Sequence, residues 1–298
     1  MLRSFVRNIT PGFILNFYRN FKKKRTNKRL LIDAKAGSGF SKEDIIKDLE
    51  KIGIKKGDVL MVHSSLSKIG FVNEGAKSVV EALIDVIGTD GHLLMPNSPN
   101  ASYQLAYIQS IAEFDVLYSP SKLGAISEYF RCLPDVKRSA HPTEPVSCWG
   151  PEKEYFVDNH FGNLTPYNQN SPFYKVIEKR GKILYLGVTL DNAGTHLHTL
   201  EDAIPDFKFP VYWNEIFEVK VRMEDNSIQH MKTKVHNPEQ SKKRKCDGLI
   251  PLFESEGILS QVTVGNAKCM LVDAKGMFEC MKKHYFENGV TMYTPNGS

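Results

Sequence analysis

Long apolar runs, paired cysteines and phosphate-loop glycines are all missing from this 298-residue chain, and its first thirty positions hold no acid. No stretch approaches the ~20 apolar residues that a membrane-spanning helix needs. The five cysteines (Cys132, Cys148, Cys246, Cys269, Cys280) are scattered without a C-x-x-C pair. That argues against a zinc ribbon or a disulfide scaffold and fits a reducing cytoplasm. Neither G-x-x-x-x-G-K-[ST] nor G-x-G-x-x-G occurs, so nucleotide-triphosphate and dinucleotide readings lose ground. Internal repeats and low-complexity segments are absent too. What remains is ordinary for a soluble globular protein: 41% hydrophobic and 24% charged residues, enough chain for one large α/β domain or two small ones.

The net charge of +5 is unevenly spread. Residues 1–30 hold nine Lys/Arg, leaving 30 cations against 34 acids in the remainder. A mildly acidic body with a basic tail does not have the charge pattern of a nucleic-acid-binding domain. A cationic small substrate suits it better. Within the tail, GFILNFYRNFKKKR sets Phe13, Ile14, Phe17, Tyr18 and Phe21 on one helical stripe ahead of a cationic cluster. Two readings fit: an interfacial helix on anionic lipid, or a helix packed on the body or a neighbouring subunit. A signal peptide does not fit, because the lysines follow the apolar part and no small-residue cleavage site comes after them.

The body alternates strand and helix. Ser41 and Asp44 form a capping box for a helix over about 42–52. DVLMVHSS reads as a buried strand, AKSVVEALIDVIG as a helix closed by Gly88, and HLLMP as the next strand. SPFYKVIEKRG (helix), KILYLGV (strand, 182–188) and a further helix repeat the pattern. Such alternation predicts βαβ units and a parallel sheet. IFEVKVRMEDNSIQHMKTKV reads as two strands around an Asp225-Asn226 turn, and GMFECMKKHYF as a closing helix. The expected fold is mixed α/β: a largely parallel central sheet flanked by helices, with an inserted antiparallel hairpin. Residues 1–35 form the tail, and 36–298 form a single domain.

Three stretches carry candidate chemistry. VHSSLSKIGFVNEGA places two serines where a strand gives way to a helix, a mouth that suits phosphates or carbonyl oxygens; two serines capping a turn would look the same. In KRSAHPTEPVSCWG, Arg138 could hold a phosphate or form a surface salt bridge. In YLGVTLDNAGTHLHTLEDA, Thr195 is a natural N-cap, and Thr195, His198 and Glu201 then share one helical face while His196 points away. A helix does not converge residues at i and i+2, so a zinc site from His196, His198 and Glu201 is disfavoured. A histidine in the first helical turn is kept neutral by the helix dipole, worth about 0.3–1 kcal/mol, and can accept a proton.

In this order, VHSSLSKIGFVNEGAKSVVEALIDVIGTDGHLLMPN, KRSAHPTEPVSCWGP and KILYLGVTLDNAGTHLHTLED resemble the antibiotic N-acetyltransferase family typified by aminoglycoside 3-N-acetyltransferases. FESEGILSQVTVGNAKCMLVDAKGMFE is similar to that family's closing segment, so the resemblance covers about residues 40–285 and excludes the tail. It implies a single acetyltransferase domain that moves an acetyl group from acetyl-CoA to an amine of a sugar or aminocyclitol, without a metal. Ser64, Ser65 and Leu66 are then expected at the pantetheine and acetyl end, with Arg138, Ser139 and His141 near the CoA arm. His198 becomes the catalytic base, Glu201 its partner, and Asp191 a possible second orienter. Backbone N–H groups around Ser65 and Leu66, or a serine hydroxyl, are expected to hold the oxyanion. Asn170 replaces the family's usual glycine before Ser-Pro.

The basic tail is unexpected for an enzyme meeting a freely diffusing antibiotic. The preferred expectation is therefore a cytoplasmic enzyme, peripheral to the membrane through residues 1–30, that acetylates an amino sugar for a surface polysaccharide. Aminoglycoside acetylation conferring antibiotic resistance is the alternative, and a non-catalytic CoA-binding or membrane-attached scaffold the reading from another class. No nucleic-acid partner is expected, and the oligomeric state stays open.

Overall fold

The computed structural model describes residues 21, 24–26, 28–30, 32, 34–100 and 103–297. The stripe expected from Phe13 to Tyr18 lies outside them. Among the described residues no helix is long and apolar enough to cross a membrane.

The strands among the described residues run in chain order as β1 (Val59–Ser64), β2 (His92–Pro96), β3 (Phe114–Asp115), β4 (Lys137–Arg138), β5 (Val146–Trp149), β6 (Lys182–Leu186), β7 (Phe217–Arg222), β8 (Ile228–Thr233), β9 (Leu259–Val264) and β10 (Ala267–Asp273). Seven of them make one sheet in the order β4-β5-β2-β1-β6-β10-β9. Its centre, β2-β1-β6, is parallel, and antiparallel strands complete both sides. A second sheet, β3-β7-β8, contains the hairpin expected around Asp225-Asn226, where Asn226 takes a positive φ of 65°. The mixed α/β expectation holds, but the parallel pairing is confined to the centre of the large sheet, two of its six strand pairings. The hairpin made by β9 and β10 was not legible, since its strands lie within a stretch recognised only as a closing segment.

The principal helices are α1 (Lys42–Lys51), α2 (Leu66–Ile69), α3 (Ala76–Ile87), α4 (Pro172–Glu178), α5 (His198–Ala203) and α6 (Ala274–Asn288). The capping box of α1 is present in full, with Ser41 Oγ accepting from the Asp44 N–H and Asp44 Oδ2 from the Ser41 N–H. Both faces of the large sheet are covered. Leu60, Val62, Leu93 and Leu184 pack with α1 and α3 on one side, while Met61, Leu94, Ile183 and Tyr185 pack with α4 and α6 on the other. Central strands buried on both faces read as continuous apolar runs, which is why VLMV, HLLM and KILYL are recognisable.

Parallel strands bring their C-terminal ends to one edge, where Ser64 of β1 lies opposite Leu186 of β6. The chain leaves β6 through Gly187, at φ +72°, where an added Cβ would come within 2.5 Å of the Lys68 Cβ in α2. Only a glycine lets the two exits pass so closely. Gly187→Ala is expected to lower stability by about 1–3 kcal/mol through backbone strain and this clash. Urea unfolding measures it, and an unchanged midpoint would sink the argument.

Candidate active site

After Gly187 the chain makes two short turns and enters α5 at His198. Thr195 does not cap this helix as expected: Thr195–Leu197 is a 3-10 turn, and α5 begins directly after it. The Thr195 hydroxyl instead lies 3.4 Å from Nε2 of His63. The expected pairing one turn apart is present nonetheless, with His198 Nδ1 donating to Glu201 Oε2 at 2.7 Å. Both side chains are almost wholly buried.

Glu201 gathers partners from distant segments. Its Oε1 accepts from the Tyr293 hydroxyl at 2.8 Å, and Oε2 lies 3.3 Å from Nε2 of His236. His236 follows the end of β8 and stacks between Tyr167 and Tyr212, at 5.5 and 5.1 Å between ring centroids. Tyr167 also stacks on His198 at 4.9 Å. The His236 N–H bonds to Gln104, whose amide donates to Glu144. The H-P-T-E-P stretch thus reaches the site through Glu144, a residue not singled out by the sequence. Burial raises that carboxyl to about 7, against hydrogen bonds from Gln104 and Asn100.

Burial also depresses His198 well below 6.5, opposed by the charge on Glu201 and reinforced by Arg244 and His236. Burial alone would raise Glu201, but His198 and then His236 override it and hold the carboxyl below the usual range. The pair therefore rests as neutral imidazole and carboxylate. Because Nδ1 carries the hydrogen directed at Glu201, the lone pair sits on Nε2, which is the tautomer a general base requires.

His198, Glu201 and His236 are also the one His/Glu trio among the described residues whose ligand-type atoms all lie within 4.8 Å of one another. His198 Nδ1 and Glu201 Oε2 are closer, at 2.7 Å, than the roughly 3.3 Å that two ligands of a tetrahedral zinc ion keep. The geometry is that of a proton shared between an imidazole and a carboxylate.

Ser64, Ser65 and Leu66 stand at the sheet edge, where the Ser65 hydroxyl caps nothing. The Ser65 N–H is not available to an oxyanion, because it donates to the Leu186 carbonyl at 2.9 Å. Asp191 does not touch the dyad and so does not orient it. Asp191 and Asp247 each accept the other's backbone N–H, at 3.1 and 3.0 Å. Arg138, Ser139 and His141 are buried and engaged in the fold. The guanidinium bonds to the carbonyls of Val116, Ser119 and Asn97, holding the loop after β2. Ser139 joins His160 to the Val146 N–H, and His141 stacks on His160 at 4.7 Å. A cavity of about 260 Å³ beside Lys137, Arg138 and Met223 contains none of the dyad. Asp202, next to Glu201, ties Tyr212 and the Tyr167 N–H, while His196 is buried edge-on against Phe173, away from the dyad.

Residues 61–286 match the family model described as aminoglycoside 3-N-acetyltransferase, and the chain belongs to that family. It is 34% identical over 185 residues to the SPbeta prophage-derived aminoglycoside N(3')-acetyltransferase-like protein YokD of Bacillus subtilis strain 168, covering 55% of this chain and 66% of that one. The matched stretches span 59–66% of the length of the curated relatives. Among solved structures, AAC-IIIb in a binary complex with CoASH superposes with a TM-score of 0.69 at 25% identity, covering 82% of this chain and 95% of that one. A histidine-to-alanine variant of aminoglycoside acetyltransferase AAC(3)-IVa in complex with a gentamicin gives 0.68 at 26% identity, covering 84% and 90%.

The dryness of the site makes its charges consequential. Glu201→Gln keeps the shape but removes the charge facing His198, so kcat is expected to fall by about 10²-fold or more in a steady-state acetyl-transfer assay. Activity at the wild-type level would remove Glu201 from the mechanism. Separately, burial pushes His63, His160 and His196 down to about 3. These groups titrate near 6.5 once unfolded, so below that pH the unfolded chain binds more protons. The stability contributed by these three histidines is thus full above pH 6.5 and falls as the pH drops towards 3, by about 1.4 kcal/mol per unit for each, and the raised carboxyl of Glu144 offsets part of that loss. Urea midpoints that do not fall between pH 7.5 and pH 5 would contradict this.

Proposed function

We propose that this chain transfers the acetyl group of acetyl-CoA to an amine of an aminoglycoside-type acceptor, with His198 as general base and Glu201 as its partner. The observation that carries the reading is the buried His198–Glu201 hydrogen bond, which fixes a neutral imidazole with its lone pair on Nε2. An alkyl ammonium must lose a proton before its nitrogen can attack. His198 Nε2 takes that proton, directly or through water, and Glu201 stabilises the imidazolium. The free amine adds to the thioester carbonyl. Collapse of the tetrahedral intermediate breaks the C–S bond; the proton held by His198 goes to the departing thiolate, and the nitrogen loses its second proton to solvent as the neutral amide forms. The acetyl-pantetheine end lies at Ser64, Ser65 and Leu66, with the Ser65 hydroxyl rather than its N–H as oxyanion donor. All four of the chain's buried cysteines and its one exposed cysteine lie outside the dyad, which favours direct attack over an acyl-enzyme.

The CoASH complex of one relative supports the donor, and the gentamicin complex of another favours an aminoglycoside-type acceptor over the surface-polysaccharide amino sugar suggested by the tail. The full chain, acetyl-CoA and a thiol reagent, with panels of aminoglycosides and nucleotide-linked amino sugars, test it. Thiol release with aminoglycosides is expected, reduced about 10²-fold or more in His198→Ala. Turnover restricted to nucleotide-linked sugars would overturn the acceptor class. CoA binding without turnover on any amine would overturn the transferase reading in favour of a scaffold.

A further inference from the structure

The family match ends at residue 286, yet a buried turn beyond it reaches the dyad. Helix α6 stops at Gly289, which takes the left-handed conformation, and the chain folds back over residues 290–295. Val290, Thr291, Met292 and Tyr293 are all buried. The turn is tightly specified. The Thr291 hydroxyl accepts from the N–H groups of Tyr293 and Thr294, at 3.0 and 3.1 Å, and the Thr294 hydroxyl donates to the Gly289 carbonyl at 2.8 Å. The Met292 carbonyl accepts from the Lys245 N–H at 2.7 Å, which fastens the turn to the loop before Cys246. Its product is one directed side chain: Tyr293, packed edge-on against Phe209 with centroids 5.2 Å apart, its hydroxyl 2.8 Å from Glu201 Oε1.

We infer that Tyr293 is a positioning residue for the His198–Glu201 pair, holding the carboxylate so that Oε2 stays in line with Nδ1 of the base. The inference rests on the assignment of His198 as base. A carboxylate in a dry site can rotate about its last bond, and His198 alone fixes only one of its oxygens. Tyr293 fixes the other. Burial and the nearby Glu201 charge raise the Tyr293 hydroxyl against the opposing pull of the Arg244 guanidinium, so it stays protonated and donates. His236 Nε2 approaches, at 3.3 Å, the same Oε2 that His198 already holds, so it does not supply the donor that Tyr293 gives to Oε1. A tyrosine retained for packing alone would need no hydroxyl there.

Tyr293→Phe tests the inference, because it keeps the ring against Phe209 and removes only the hydroxyl. Two measurements are made on the full chain. In acetyl-transfer kinetics, kcat is expected to fall about five-fold or more while KM for acetyl-CoA stays unchanged. In proton NMR, the Nδ1–H resonance of His198, identified by its loss in His198→Ala, is expected to move, since Glu201 without its second donor is a different acceptor. The resonance is read without turnover, so it tests Tyr293 even if no amine proves to be a substrate. A resonance that stays in place, or an active variant with unchanged kcat, overturns the inference.

Discussion

A carboxylate stripped of water needs donors on its oxygens, and in this protein that demand organises everything around Glu201. Burying an ion costs several kcal/mol unless it is paired and hydrogen-bonded. Glu201 meets the requirement with His198 from its own helix and Tyr293 from the turn after α6, with His236 close by. The large sheet sets up this meeting by ending β6 next to β1, and the small sheet by carrying the chain from β8 to His236. The same pairing that makes the burial tolerable selects the tautomer of His198. The burial of the carboxylate and the tautomer of His198 therefore draw on one hydrogen bond.

Much of the fold was legible because its signals are local. The Ser41–Asp44 capping box, the apolar runs of β1, β2 and β6, and the Asp225-Asn226 turn each depend on residues a few positions apart. The His198–Glu201 pair was legible for the same reason, being one helical turn long. The start of its helix lies two residues later than the Thr195 cap implied, because a 3-10 turn and an α-helix share nearly the same pattern of polar and apolar positions.

His236, Tyr167 and Tyr293 were not legible. Their contacts with Glu201 or His198 span from about thirty to more than ninety residues, and no periodicity encodes such a meeting. Arg138, Ser139 and His141 show the converse. Their residue types suit anion binding, but Arg138 sits on buried carbonyls and Ser139 between a ring and an N–H. A motif reveals that its residues matter without revealing whether they face a ligand or the fold. Asp191 is similar: two backbone N–H bonds with Asp247 tie it to a neighbouring loop rather than to the base.

Glu201 and Asp202 are consecutive acids that serve different layers, one facing His198 and the other fastening Tyr212 and Tyr167. Successive helix positions differ by about 100° in direction. The connection from Gly187 to His198 therefore acts as a phase-setter. One residue gained or lost there would turn the His198–Glu201 pair, whose own spacing the helix keeps, away from Tyr293 and His236. The length of this loop is constrained as tightly as its chemistry, so variation among descendants of this chain should substitute its residues without changing their number.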